Sequence, residues 1–322
     1  WVVENMYFNV FLYKMFHAGA AQISLMVGAS AIVATLTTWL IGVLSDRVGR
    51  RKCFICGGYL LWGISILAFA LIREDILKPF AVGITAAKLG IILVILLDCV
   101  MTFFGSTAND ACFNAWMTDC GDETNRGKIE GLNAMMPLVA ILVVFGGFSG
   151  FNLDRADSWS QIYIIIGITI SAIGLLGFWL IQEPEIKKQK QQGFIAHAFY
   201  AFRLSVIRKN PLLYAMIGAF ALFGISIQIF MPYLILYYEQ TLGMKNYVIV
   251  LAPAILAAAG ITSLYGKNYD QYGFKMSVLP SLALLMSGYV FLFFCTDILM
   301  VFIGSLLMMT GYLTGMAVYG AM

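Results

Sequence analysis

The chain has 322 residues, of which 61% are apolar and 11% charged, whereas soluble domains average about 25% charged residues. That much apolar surface cannot be hidden in a water-soluble core. A formal net charge of +3, spread over short loops with no basic patch, excludes nucleic acid as a partner.

In chain order, apolar runs predict a first, shortened helix ending near Phe16 and a second from Gln22 to Leu44. Further runs cover roughly Cys53 to Ile72, Ile91 to Met117, Leu132 to Gly150, Gln161 to Ile181, Leu212 to Tyr238, Tyr247 to Tyr265, Ser277 to Phe294 and Ile298 to Met322. Runs of this length cross a hydrocarbon layer about 30 Å thick at about 1.5 Å per residue. The expected fold is an all-α polytopic membrane protein of about ten spans, with no signal peptide and with an apolar stretch at its last residue. It reads as truncated at both ends.

The longest polar interruption divides the chain into an N-terminal six-helix bundle at 1–181, a cytoplasmic linker at 182–210, and the first four helices of a C-terminal bundle at 211–322. Lysines and arginines favour one side of the membrane. Arg47, Arg50, Arg51, Lys52, Arg126, Lys128, the linker cations, Lys267 and Lys275 share it, against Lys14, Arg73, Lys78, Lys88, Arg155 and Lys245 opposite, so the first group is assigned to the cytoplasm. Within the linker, Phe194, Ile195, Phe199, Phe202 and Val206 recur among basic residues at near-helical spacing, the pattern of an amphipathic helix lying on the inner membrane surface.

The six cysteines, Cys53, Cys56, Cys99, Cys112, Cys120 and Cys295, mostly lie in or beside apolar runs, where a thiol behaves as a small hydrophobe. Cys53 and Cys56 have no second ligand pair, and His17 and His197 are remote, so neither a metal site nor a cofactor is expected. An enzyme would call for a metal or nucleophile constellation that this sequence lacks.

A motif recurs. Gly42, Asp46, Gly49, Arg50 and Arg51 stand after the second helix in the pattern G-x-x-x-D-x-x-G-x-[R/K], with Arg47 inside it, and Gly266, Asp270, Gly273 and Lys275 repeat it after the eighth. Gly42 and Gly266, Asp46 and Asp270, and Gly49 and Gly273 are each 224 positions apart. The same offset pairs Leu12 with Leu236, Tyr13 with Tyr237, Ala34 with Ala258 and Thr38 with Thr262. Parallel repeats of this kind build transporters whose solute site lies between two halves near the membrane midplane.

The loop from Gly42 to Lys52 resembles the signature loop of the major facilitator superfamily, and Gly266 to Lys275 its degenerate second copy. The resemblance implies two six-helix bundles related by a pseudo-twofold axis, about ten of the twelve helices being present. Gly42 lets the second helix approach a neighbour in the other half, where Asp46 meets the positive end of a helix dipole. Arg50 and Arg51 would pair with acids at the end of the fourth helix, where Asp119, Asp122, Glu123 and the nearby Arg126 stand. Such contacts would hold the outward-open state and break on switching.

Ionisable groups within spans cost about 2.5–3.5 kcal/mol on insertion scales and so mark candidate sites. Asp98, Thr102, Gly105 and Asn109 recur on one face of the fourth helix, with Ser106, Asp110 and Asn114 on the neighbouring face. Glu4, Asn5, Asn9 and Tyr13 form a stripe on the first helix, and Gln228, Tyr233 and Tyr237 on the seventh. The family lines its central cavity with its first, fourth, seventh and tenth helices, and the tenth here carries Thr310, Tyr312 and Thr314. Asp98 lies near the outer end of its apolar run, within reach of the interface. Gly146 with Gly150, and Gly311 with Gly315, have the spacing of helix-packing contacts.

The stretch from Asn109 to Gly127 is similar to the fourth helix and following loop of the glycoside-pentoside-hexuronide cation symporters. That branch carries paired aspartates on the second helix, where Thr37 and Thr38 stand here. Drug-exporting antiporters bear a buried arginine on the fourth helix, which this chain lacks. The resemblance implies a monomeric, multi-pass protein of the plasma (inner) membrane that moves a small polar, sugar-like solute by alternating access, with a proton or sodium as coupling cation. An efflux antiporter and a transport-inactive membrane sensor of the same fold are the competing readings.

Overall fold

The computed structural model describes residues 1–120, 126–183, 203–244 and 246–320, with the backbone alone for 126–135, 138, 266–272 and 320. In hydrocarbon each backbone N–H and C=O must be satisfied within its own segment, which leaves helices as the solution for this chain. Ten helices are numbered here α1 to α10. A first helix, α1, covers 4–16 as a π segment Glu4–Phe8 followed by α-helix Asn9–Phe16. It is followed by α2 Ala20–Val48, α3 Lys52–Phe69, α4 Ala86–Cys120, α5 Arg126–Phe148 and α6 Ala156–Leu180. Then come α7 Pro211–Thr241, α8 Val248–Tyr265, α9 Gly273–Phe294 and α10 Ile298–Gly320. Among the described residues eight of them are long and apolar enough to cross a membrane; α1 is shorter, and α5 contributes the apolar stretch Val139–Phe148. Large side chains such as Leu25, Ile32 and Leu222 face outward with at least 60% exposure, which in lipid is the favourable side for them.

The fourth helix begins at Ala86, five residues before the apolar run read from the sequence, because Thr85 caps it by accepting from the Lys88 N–H at 3.2 Å. Asp98 thus lies about 18 Å along the helix and is 1% exposed, packed inside the protein. The linker helix falls mostly outside the described residues; a short helix Leu204–Lys209 contains Val206. Both motif glycines have a reason to be glycine. Gly49 (φ 67°) ends α2 in the left-handed region, and Gly273 (φ 74°) turns the chain between α8 and α9. Side chains rarely tolerate either conformation.

The chain forms two compact units. One comprises Phe8–Glu130 and Phe151–Ala215. Its seam runs between α3 and α6, where a Cβ on Gly63 would lie 2.6 Å from the Gly167 carbonyl oxygen, and one on Gly174 2.7 Å from the Leu60 nitrogen. Backbones this close gain dispersion contacts that bulkier residues would forbid. One end is filled by buried Phe8, Phe11, Phe16, Phe69, Trp159 and Tyr163, with the Trp159 indole donating to the Leu153 carbonyl at 2.8 Å. The ion pairs Lys14 to Asp154 (3.1 Å) and Arg73 to Asp157 (2.7 Å) join helix ends to the loops read as external. Arg73 also donates to Asp75 at 3.1 Å, and this bond holds the Asp75 carboxyl below its usual range.

The other unit comprises Trp1–Tyr7, Gly131–Gly150 and Met216–Met322. Here α9 and α10 pack closely. A Cβ on Gly288 would meet Met308 Cα at 2.6 Å, and one on Gly311 would meet Leu285 Cα at 2.7 Å. Gly315 packs on the Phe223 ring, whereas Gly146 and Gly150, spaced for packing, have nothing within 4 Å of the point where a side chain would begin.

Gly174→Val is expected to cost about 1–3 kcal/mol through overpacking, while Gly146→Ala is neutral or gains about 0.4–1 kcal/mol. Thermal unfolding of the two variants in one detergent checks this, and equal melting points would count against the seam.

Candidate functional site

The centre of α4 departs from α-helix. Ser106–Phe113 is a π segment, with i to i+5 bonds and one extra residue in the turn, a distortion frequent at functional sites. Two others occur at Glu4–Phe8 in α1 and Tyr237–Thr241 in α7. All three helices are among those whose polar residues stand out in the sequence.

Within the α4 segment a carboxylate is held in place. Asp110 is half-buried and its Oδ2 accepts from the Ser106 hydroxyl at 2.9 Å, its Oδ1 from the Asn109 amide at 3.1 Å. The Asn109 side-chain oxygen in turn accepts from the Tyr59 hydroxyl of α3 at 2.9 Å. The Asn114 amide donates to the Asp110 backbone carbonyl at 3.3 Å, leaving Asn114 itself exposed. Both carboxylate oxygens are thus met by neutral donors, which fix the direction of the group while leaving it further lone pairs. Among the described residues no lysine or arginine pairs with Asp110. A carboxylate poised without a fixed counter-ion can receive a cation or the hydroxyls of a polar solute. Tyr59 escapes a reading of the sequence because a single tyrosine in an apolar helix looks like packing. The only signal is its hydroxyl among apolar neighbours.

A second cluster lies where α2, α3 and α4 meet their loop. Arg51 is 6% exposed and donates through Nε to Asp119 at 2.6 Å, through Nη2 to Asp46 at 2.8 Å and through Nη1 to the Ser45 hydroxyl at 3.4 Å. Charge-assisted bonds to two carboxylates use the fixed fork of the guanidinium. All three partners belong to the same compact unit, so these bonds fix the ends of α2 and α4 against each other. Beside them the Trp116 indole donates to the Gln182 carbonyl at 2.9 Å. Arg47 and Arg50 are exposed, and Gly42 has open space around it. Asp122 and Glu123 lie outside the described residues, and the side chains of Arg126, Asp270 and the neighbours of Gly266 are likewise not described.

The remaining candidates divide between the two units. In the first, Asp98, Thr102 and Asn9 are buried to 1% exposure or less. In the second, Glu4, Tyr233 and Tyr237 are half-buried, Asn5 and Gln228 exposed, and the Tyr237 hydroxyl donates to the Leu292 carbonyl of α9 at 2.6 Å. Tyr13, four residues beyond Asn9, is 37% exposed. On α10, Thr310 and Thr314 are buried, and Thr314 donates to the Thr310 carbonyl at 2.6 Å. Tyr238 of α7 bonds Ser305 of α10, a pair the sequence does not suggest. Among the described residues no group of three or more His, Cys, Asp or Glu could hold a metal ion.

Comparison with known proteins adds three findings. Residues 3–322 match the family model of the Major Facilitator Superfamily. The chain is similar to sugar efflux transporter A of Dickeya chrysanthemi, 26% identical over 160 residues, which span 50% of this chain and 36% of that protein's length. In structure it is similar to a bacterial homologue of the human lysosomal transporter Spinster, solved in an inward-facing and unoccupied conformation, with a TM-score of 0.64 and 17% identity over 98% of this chain and 72% of that one. The latter likeness concerns the fold alone.

Arg51→Lys is expected to lower stability by about 1–3 kcal/mol, since one ammonium cannot serve both Asp46 and Asp119 as the fork does. Arg50→Lys on the exposed surface should change it by less than about 0.5 kcal/mol. Thermal unfolding of the two side by side is the measurement, and equal shifts would refute the bridging role.

Proposed function

This chain belongs to the Major Facilitator Superfamily, and from that premise we propose that it is a secondary active transporter that moves a small polar, sugar-like solute by alternating access. The observation that carries this reading is Asp110, whose carboxylate is oriented by Ser106 and Asn109 within the π segment of α4 and is left without a basic partner among the described residues. Ordering by neutral donors keeps the carboxylate aimed, so it can bind a proton or sodium ion and release it when the solute leaves. Tyr59 serves as a positioning residue, acting through Asn109. Asp98, Asn9, Asn114, Glu4, Asn5, Gln228, Tyr233 and Tyr237 are proposed to line the path.

The two moving halves in this proposal are 1–181 and 211–322, joined by 182–210. The motif residues Gly42, Asp46, Arg47, Gly49, Arg50 and Arg51, with Gly266, Asp270, Gly273 and Lys275, act at the cytoplasmic ends as the switch. Asp119 holds Arg51 in place for that role, and Asp122, Glu123 and Arg126 are proposed as further loop partners. The site of action is the plasma (inner) membrane, and the working unit is a monomer.

Cation-coupled symport is the first reading of direction. The second, export in exchange for a cation, is favoured by the sugar efflux transporter among the similar proteins. The same carboxylate serves either.

Proteoliposomes holding the full-length protein and a panel of labelled sugars separate the two readings. Accumulation when proton or sodium enters with the solute means symport, and accumulation against an opposed gradient means exchange. In either case Asp110→Asn should lower transport about tenfold or more, the loss of a charge-assisted contact being about 1.5–3 kcal/mol. Tyr59→Phe should have a smaller effect. Full activity in Asp110→Asn would overturn the site.

A further inference from the structure

The stretch between α3 and α4, residues 70–85, forms a folded shelf within the first compact unit. It holds one turn of helix, Glu74–Leu77, and a 3-10 turn, Lys78–Phe80, with Pro79 inside it. Its backbone bonds close locally, the Leu77 N–H donating to the Arg73 carbonyl at 2.9 Å and the Val82 N–H to the Phe80 carbonyl at 3.0 Å. Two kinds of surface result. Ile72 and Leu77 are buried, Arg73 ties the shelf to α6 through Asp157 at 2.7 Å, and Arg73, Glu74 and Asp75 line a cavity of about 340 Å³ together with Phe69 and Trp159. The other large apolar side chains are turned elsewhere. Phe80 is 71% exposed and Val82 88%, with Ile76 and Ile84 also exposed, and none of the four lines that cavity.

We propose that this shelf is a membrane foot: Phe80, Val82 and Ile84 sit among the headgroups and upper acyl chains on the side where α3 ends and α4 begins, with Lys78 and Lys88 against lipid phosphates. Both ends of the shelf join membrane-spanning helices, which places it at the bilayer surface. Its apolar side chains continue a lipid-facing row, from exposed Leu71 after α3 to exposed Ile92 and Leu96 on α4. From Lys78 to Leu97 the sequence carries two lysines and no acid. Both lysines are exposed, so charge as well as apolarity suits a phospholipid surface.

A second protein fits the shelf less well. A stable interface takes about 800 Å² from each partner and is depleted in lysine, whereas four side chains flanked by lysines offer less area. Irregular backbone exposed to lipid is excluded from the hydrocarbon core, which limits the foot to the interfacial layer. There it fixes the depth of the first unit, since Arg73 links it to α6 and the adjoining α3 belongs to the glycine seam. This role goes beyond the transport reading and holds for any solute.

The test reads the surroundings of one side chain. A nitroxide is attached at Val82→Cys in the full-length protein, its native cysteines replaced, in phosphatidylcholine vesicles with and without phosphatidylglycerol. Collisions with oxygen, which concentrates in lipid, are compared with collisions with a water-soluble nickel chelate. A label at Arg155→Cys, exposed just before α6, is the aqueous reference. The Val82 label should give an oxygen-to-nickel ratio about threefold or more above the reference, and Phe80→Ser should lower that ratio about twofold. Lys78→Gln combined with Lys88→Gln should lower it only where phosphatidylglycerol is present. A ratio equal to the reference means that the shelf stands in water and overturns the foot. A label shielded from both reagents means that protein covers the shelf, and overturns it equally. Insensitivity of the lysine variant to phosphatidylglycerol would strike the phosphate contact from the proposal. Transport is not measured, so failure of the foot leaves the proposed function untouched.

Discussion

A polar group at membrane depth has to find its partner inside the protein, and several of the described hydroxyls find it on their own helix. Ser30 donates back to Met26, Thr107 to Phe103, Thr262 to Ala258 and Thr314 to Thr310. Such bonds satisfy the hydroxyl and say nothing about neighbours. Polar bonds that reach across between helices are therefore the informative ones. Tyr59 to Asn109, Arg51 to Asp119, Tyr237 to Leu292, Tyr238 to Ser305 and Tyr247 to Tyr7 are bonds of this kind among the described residues.

Apolar packing complements this economy. The seams between α3 and α6 and between α9 and α10 are made by glycine, with backbones in contact and no polar group required. They give each unit a stiff spine. The ordered carboxylate of α4 sits beside one such spine, since Gly58 of α3 lies against Ala108 of α4, one residue from Asn109. A carboxylate held in a fixed direction gains from that close support.

Much of this can be read from the sequence, and the residues show why. Spans follow from run length, and the end of α2 and the start of α9 follow from motif glycines whose positive φ leaves little choice of residue. Asp110 stands out because a carboxylate in an apolar run is costly. Tyr59, Tyr7 and Tyr247 do not stand out, because a tyrosine is at home in an apolar helix and only three-dimensional proximity shows which hydroxyls meet. The start of α4 is misplaced by the apolar pattern because Thr85 to Gly90 lack an apolar run, although Thr85 is a capping residue. Asp98 is accordingly read as nearer the surface than the 1% exposure it has. The π segments are invisible, since no residue type encodes them.

The wide turn at Ser106–Phe113 also bears on how this protein is compared with others. An i to i+5 turn takes in one residue more than its neighbours, so side chains beyond it are advanced around the axis relative to an unbroken α-helix. A relative whose fourth helix lacks the turn reaches the same point in space one residue sooner. Aligning the two without a gap would match Asp110 with the wrong counterpart, and transfer of residue roles along this helix should follow superposed coordinates instead of letter-by-letter correspondence.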